Sequence, residues 1–143
     1  MDRRTFLRTA AAGSISLPTL RAASAAAESL PQRTLGATGL GVTILGLGCA
    51  TLGYGPFSVE EGAQIVEACI DGGINYIDCA SSYGNAEEKV GMVVKRRRSE
   101  VVLATKVFGA VGPGPHERGL SRKSIQQEVE KSLRRLGSDV IDL

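Results

Sequence analysis

The chain has 143 residues, of which 43% are hydrophobic, and this suits one ordinary folded domain and excludes a chain disordered by composition. Its 17 basic and 15 acidic residues give a formal net charge of +2, which excludes the strongly basic surface typical of nucleic-acid-binding domains. The 3 cysteines include no C-x-x-C pair, so the sequence indicates neither a disulfide framework nor a zinc site, and we expect no metal.

The first 27 residues contain a basic region, an apolar region and a small-residue region in the order that is typical of a secretory signal. Residues 2–8 read DRRTFLR, which resembles the twin-arginine export motif of bacteria; a weakly apolar stretch and a cluster of small residues follow. The apolar stretch is shorter than the roughly 20 residues that a bilayer anchor needs. We therefore expect residues 1–27 to be a twin-arginine-type signal peptide and residues 28–143 to form the folded part. The alternative is a disordered, alanine-rich tail with two chance arginines.

After this segment, strand-like and helix-like patterns alternate. Apolar residues around a glycine-rich turn predict a hairpin that begins at residue 32. Buried strands are then predicted at residues 44–49, 74–78, 101–106 and 139–143. A glycine- and proline-rich loop is predicted at residues 107–119. Because helices separate the strands, the pattern predicts a parallel sheet or barrel.

Three helices are predicted from their capping residues and apolar spacing. The first begins with a capping box at Ser58 and Glu61, the second after Asn85 and the third after Ser121. Glycines at 72, 73 and 137 are typical of helix ends. The expected buried faces are Ala63, Val66 and Ile70 in the first helix; Val90, Val93 and Val94 in the second; and Ile125, Val129, Leu133 and Leu136 in the third. The basic run at residues 95–98 is interpreted as a helix end, with a phosphate-binding patch as the alternative.

Ionisable side chains follow the predicted strands at their carboxyl ends. Asp78 ends the second strand, Tyr83 lies in the loop behind it and Lys106 ends the third. In a parallel barrel these ends meet on one face, which is the face that carries the chemistry. A lysine cation near a tyrosine favours the phenolate, and a carboxylate keeps a partly buried lysine charged. The three residues therefore suit a tuned proton donor, whereas the alternative is a structural Asp–Lys salt bridge with a tyrosine packed nearby.

These stretches together resemble the aldo-keto reductase family. The matches are LGATGLGV from Leu35, LGLG from Leu45, NYIDCASSYGNAE from Asn75, ATK from Ala104, GLSRK from Gly119 and DVIDL from Asp139. The long loop before Arg118 resembles the branch of the family related to potassium-channel β subunits and their bacterial oxidoreductase relatives. The matches follow one another in the family's order from about residue 30 to residue 143.

The resemblance implies an α/β fold, the (β/α)8 TIM barrel, of which this chain would supply the N-terminal hairpin and about four strands. It implies an oxidoreductase that transfers a hydride between NADP(H) and an aldehyde or ketone. The implied catalytic residues are Asp78, Tyr83 and Lys106, with Tyr83 protonating the carbonyl oxygen. The implied cofactor-binding residues, near the nicotinamide ribose, are Gly48, Cys49, Thr51 and Asp78.

The family's fourth catalytic residue, a histidine, follows the strand that ends at Leu143, and its adenosine-phosphate site lies in later strands. We therefore expect this chain to be an incomplete part of a barrel and to be inactive as a reductase on its own. A pseudo-enzyme, or a half barrel that dimerises into a whole one, is the alternative for this chain. For the parent protein, the alternative is a non-catalytic nucleotide-binding or regulatory subunit on the same fold.

The expected partners are a small carbonyl or alcohol substrate and the twin-arginine export machinery, and no nucleic acid. The twin-arginine route carries folded proteins, so NADP(H) could be bound before export. We accordingly expect a periplasmic or otherwise exported protein, with a cytoplasmic one as the alternative. The sequence does not indicate the substrate or the oligomeric state.

Overall fold

The computed structural model describes residues 29–110 and 112–143. The predicted signal peptide at residues 1–27 therefore lies outside the described residues. In the part of the chain that the structure describes, no helix is both long and apolar enough to cross a membrane.

The described residues form five short strands and four helices. The strands are β1 (Gln32–Thr34), β2 (Gly41–Thr43), β3 (Leu47–Gly48), β4 (Tyr76–Asp78) and β5 (Val102–Ala104). The helices are α1 (Ala50–Tyr54), α2 (Val59–Asp71), α3 (Ala86–Arg97) and α4 (Arg122–Leu136), and a 3-10 turn at Arg98–Glu100 follows α3.

The strands form a hairpin and a separate parallel sheet. β1 and β2 pair antiparallel, as the glycine-rich turn predicted. The sheet has the order β3-β4-β5, with Gly48 opposite Asp78 and Asp78 opposite Ala104. The predicted parallel sheet with intervening helices is thus confirmed, and its register places the carboxyl ends of the three strands side by side.

The first predicted buried strand, at residues 44–49, is wrong over its first half. Only Leu47–Gly48 pairs with the sheet, and the side chains of Ile44 and Leu45 are exposed. The Thr43 hydroxyl donates to the carbonyl of Leu45 at 2.7 Å, and the Asn75 side chain accepts the Thr43 N–H at 2.7 Å. These local bonds turn the backbone, which apolar patterning could not reveal.

The segment at residues 139–143 was predicted as a strand, and it is not a regular strand in the structure. It does lie beside β5, because the N–H of Asp142 donates to the carbonyl of Leu103 at 2.9 Å and that of Thr105 donates to the carbonyl of Leu143 at 3.1 Å. However, the Leu103 N–H donates to the Asp142 carboxylate at 2.7 Å. A side chain thus takes a position that a backbone carbonyl would occupy in a regular ladder.

The predicted helix starts and ends are largely confirmed. Ser58 and Glu61 form the reciprocal capping box of α2, at 3.1 and 2.8 Å. The Ser121 hydroxyl caps α4, and Gly137 ends it with a left-handed φ of 59°. Asn85 precedes α3 but makes no side-chain cap bond among the described residues. The basic run ends α3 as expected, where Arg96 pairs with Glu67 and Arg97 with Asp71 on α2.

The predicted apolar faces of α2 and α3 are buried, whereas that of α4 is wrong in part. Leu136 is buried, but Ile125 is exposed, and Val129 and Leu133 are only half-buried. The fully buried positions of α4 are instead Ser124, Glu128, Ser132 and Leu136. The Ser124 hydroxyl donates to the carbonyl of Arg118, in the loop before the helix, at 3.3 Å. The loop therefore supplies a polar partner for this side of the helix.

Helix α1, which was not predicted, touches the loop after β4 backbone to backbone. A Cβ atom added at Gly53 would overlap with the carbonyl of Tyr83, and one added at Gly84 would overlap with the carbonyl of Gly53. Gly84 also has a left-handed φ of 52°. Only glycines allow this close approach, which fixes the position of Tyr83 relative to α1.

We predict that Gly53→Ala destabilises the fold by about 1–3 kcal/mol, because the added methyl group forces α1 and the Tyr83 loop apart. Urea unfolding followed by circular dichroism measures this change. Gly48→Ala is the matched control, since its Cβ would meet no atom within 4 Å. Equal stability of the two variants would contradict the close contact.

Candidate active site

An ion pair joins the ends of β4 and β5. The Lys106 ammonium donates to both carboxylate oxygens of Asp78, at 2.7 and 2.8 Å, and to the carbonyl of Cys79 at 2.9 Å. These three acceptors match the three N–H groups of the ammonium. The site is open to solvent, with about half of the Lys106 side chain exposed.

Tyr83 lies directly beside this pair. The Lys106 nitrogen is 5.1 Å from the centroid of the Tyr83 ring. Tyr54, on α1, packs its ring edge-on against Tyr83 with centroids 6.0 Å apart, and its hydroxyl donates to the carbonyl of Ser82 at 2.5 Å. The structure therefore brings Asp78, Tyr83 and Lys106 together.

The carboxylate controls the charge of the lysine. Partial burial acts to lower the pKa of Lys106, but the hydrogen bonds and the negative charge of Asp78, with smaller contributions from Tyr83, outweigh it and raise that pKa above its usual value. The lysine is therefore held as a cation beside the tyrosine throughout the neutral pH range.

The residues expected near the cofactor divide into two groups. Gly48 and Asp78 both line an open cavity of about 480 Å³ between the parallel sheet and the β1–β2 hairpin, to which Val42, Thr43 and Tyr76 also contribute. Thr51 is exposed on α1. The side chain of Cys49, in contrast, is fully buried in the core between the sheet and the helices, and only its backbone lies at the site, where its N–H donates to the carbonyl of Asp78 at 2.9 Å.

The Cys49 thiol is suited to packing and not to ionic chemistry. A hydrogen bond with Cys79, burial and the nearby Asp78 charge all raise the pKa of Cys49 well above its usual range. The thiol therefore stays protonated, and Cys49 behaves as a small apolar residue of the core.

Sequence reasoning missed two features of the site. One is the edge-on contact between the rings of Tyr54 and Tyr83, which lie 29 positions apart in the sequence. The other is Glu87 in the first turn of α3, where a glutamate usually signals only a favourable interaction with the helix dipole. Its burial could not be foreseen, because it depends on packing against β5 and α4.

We predict that Asp78→Asn lowers the pH at which Lys106 loses its proton, because the charge that raises its pKa is removed. Trace labelling of lysine amines with acetic anhydride at different pH values, followed by mass spectrometry, measures this titration. The raised pKa makes a contribution to stability that is present at neutral pH and is lost as the pH rises through the folded-state value.

Asp139→Asn is the control for this experiment, since Asp139 is exposed and lies outside the ion pairs of the described residues. An unchanged Lys106 titration in Asp78→Asn would contradict the electrostatic coupling of the two residues.

The family model described as Aldo/keto reductase family matches residues 44–143. A relative from Arabidopsis thaliana, "Probable voltage-gated potassium channel subunit beta", is 39% identical over 119 residues, which cover 80% of this chain and 36% of the relative. A protein of the same name from Oryza sativa subsp. japonica matches with the same identity and coverage. The chain thus spans about a third of the length of these curated relatives.

Solved structures agree with this match. "Putative aldo-keto reductase from Pseudomona aeruginosa" has a TM-score of 0.70 and 32% identity, over 82% of this chain and 47% of that one. An aldo-keto reductase from Bacillus halodurans in its holo form has a TM-score of 0.69 and 35% identity, over 78% of this chain and 38% of that one. The predicted fold class, part of a TIM barrel, is confirmed, and the chain belongs to the aldo/keto reductase family.

Proposed function

We propose that the protein is an NADP(H)-dependent oxidoreductase that reduces aldehydes or ketones to alcohols and can run the reverse reaction. Membership of the family supports oxidoreductase activity in general. The observation that carries the finer proposal is the Lys106 ammonium, bound by both oxygens of Asp78 and 5.1 Å from the ring of Tyr83 at the carboxyl ends of two parallel strands. Barrel enzymes place their chemistry on this face.

The three side chains have separate roles in this proposal. The Tyr83 hydroxyl gives its proton to the carbonyl oxygen as negative charge develops there. The Lys106 cation favours departure of that proton by stabilising the phenolate that remains. Asp78 keeps Lys106 charged and fixes its direction through two hydrogen bonds.

The residues at the strand ends fit the nicotinamide-ribose part of NADP(H). Gly48 has open space where a Cβ would stand, so its backbone is accessible to a ligand. The Asp78 carboxylate accepts two bonds from Lys106 and retains lone pairs for a ribose hydroxyl. Thr51 offers a further hydroxyl, and Cys49 contributes through its backbone alone. When bound, the nicotinamide supplies or accepts the hydride.

A second candidate is a non-catalytic nucleotide-binding or regulatory subunit. It is favoured by the names of the two plant relatives, which refer to a potassium channel subunit. The presence of Asp78, Tyr83 and Lys106 in contact favours the enzyme, because nucleotide binding alone does not need a proton donor coupled to a cation. Carbonyl-dependent oxidation of NADPH separates the two candidates.

We predict that Tyr83→Phe lowers kcat of the complete protein, purified from its host, by about 100-fold or more, because the proton donor is lost. NADPH oxidation with a panel of aldehydes and ketones measures the loss, and NADPH binding by fluorescence should stay unchanged. A Tyr83→Phe variant with the wild-type kcat would contradict the role assigned to Tyr83. If the complete wild-type protein shows no carbonyl-dependent oxidation of NADPH, the regulatory candidate is favoured.

We further propose that residues 1–27 direct export by the twin-arginine machinery after folding. Residues 1–30 fused to a reporter that is active only when exported in a folded state should carry it to the periplasm. Arg3→Lys together with Arg4→Lys should abolish export, and Arg8→Lys is the matched control outside the twin pair. Export that survives the double substitution, or no export of the original fusion, would contradict the proposal.

A further inference from the structure

A buried carboxylate lies behind the proposed catalytic lysine. Glu87, in the first turn of α3, is only 1% exposed. One of its oxygens accepts the hydroxyl proton of Thr105 at 2.7 Å, and the other accepts from Nε of Arg135 on α4 at 2.6 Å. Glu87 therefore ties together two helices and the end of the third parallel strand.

Thr105 and Lys106 are neighbours whose side chains are bound on opposite sides of the sheet. Lys106 reaches Asp78 at the open site, whereas Thr105 reaches Glu87 in the layer between sheet and helices. Backbone bonds hold the same dipeptide, since the Thr105 N–H donates to the carbonyl of Leu143 at 3.1 Å and the Lys106 carbonyl accepts from Ser81 at 3.0 Å. The Thr105 hydroxyl is thus the one side-chain anchor of this dipeptide on the helix side within the described residues.

Glu87 is also joined to the tyrosine. Helix α3 begins directly after the Tyr83 loop, and the N–H of Ala86 donates to the carbonyl of Tyr83 at 2.9 Å. A short, hydrogen-bonded segment therefore runs from Tyr83 to Glu87. The Glu87–Thr105 bond links this segment to the backbone that carries Lys106.

Stability alone gives little reason for a carboxylate at this place. A buried ion pair contributes little, since desolvation offsets most of the attraction, and apolar residues often replace such pairs without loss. The benefit of negative charge at the start of α3 is available from its exposed neighbour, Glu88. The distinct effect of Glu87 is to fix the orientation of the side chains that it binds, because one of its oxygens accepts from Thr105 and the other from Arg135.

We propose that Glu87 is a positioning residue for the reductase reaction, which acts through Thr105 to hold the Lys106 ammonium at its distance from Tyr83. The inference rests on the proposed function for its kinetic consequence. Its structural consequence, the position of Lys106 against Asp78, can be measured without any turnover.

The test compares four variants of the complete protein. Thr105→Val removes the hydroxyl at nearly the same size, Thr105→Ser retains it, and Glu87→Gln removes the charge of the buried partner. Glu88→Gln is the matched control, since it makes the same change at the next, exposed position of the helix. For each variant we would measure kcat and KM for carbonyl reduction, the pH titration of Lys106 by acetic anhydride labelling, and folding by circular dichroism.

We expect Thr105→Val to lower kcat about tenfold with KM unchanged within about twofold. The variant loses the hydrogen bond from Thr105 to the Glu87 carboxylate, and this bond holds the backbone that carries Lys106. Lys106 should also lose its proton at a lower pH, since its contact with Asp78 loosens. Thr105→Ser should retain the wild-type kcat and the wild-type Lys106 titration. Glu87→Gln should show the same two changes as Thr105→Val, and Glu88→Gln should behave as wild type.

A folded Thr105→Val with the wild-type kcat and the wild-type Lys106 titration would overturn the inference. Should Thr105→Val fail to fold, Glu87→Gln decides by the same two measurements. If the wild-type protein shows no turnover, the proposed function fails, and the Lys106 titration still decides whether Glu87 positions the lysine.

Discussion

The ion pair between Lys106 and Asp78 is the interaction on which the site depends. It exists because β4 and β5 are parallel neighbours in a register that sets Asp78 opposite Ala104, so that Lys106, two residues further on, extends over the carboxylate. Both side chains are partly exposed, at 48% and 37%. Ion pairs with this exposure contribute little to stability. The value of the pair lies in holding a cation next to Tyr83 and not in holding the fold together.

Close packing behind the pair gives Tyr83 a fixed position. On one side α1 meets the Tyr83 loop through Gly53 and Gly84, and Tyr54 packs against the tyrosine ring. On the other side α3 begins within hydrogen-bond reach of Tyr83. The side chains of the site are exposed, but the backbone that carries them is fixed by packing against α1 and α3. Pre-organised catalysis requires such fixed positions.

The sequence was informative where local chemistry decides the structure. The capping box at Ser58, the glycine at 137 and the grouping of Asp78, Tyr83 and Lys106 could all be predicted, because caps and the alternation of strands with helices depend on short-range patterns. Contacts between residues that are distant in the sequence could not be predicted in this way. The burial of Glu87 depends on Thr105 and Arg135, which lie 18 and 48 positions away. The burial of the polar side of α4 likewise depends on tertiary contacts, because α4 packs against α3 and the Ser124 hydroxyl donates to the carbonyl of Arg118.

The central claim is that Asp78, Lys106 and Tyr83 act as one proton-donating unit. A double-mutant cycle on the complete protein tests it most directly, with kcat for carbonyl reduction measured for Asp78→Asn, Tyr83→Phe and the double variant. If the residues act as a unit, the double variant loses no more activity than the worse of the two single variants. Losses that multiply would show that the residues act independently and would contradict the account.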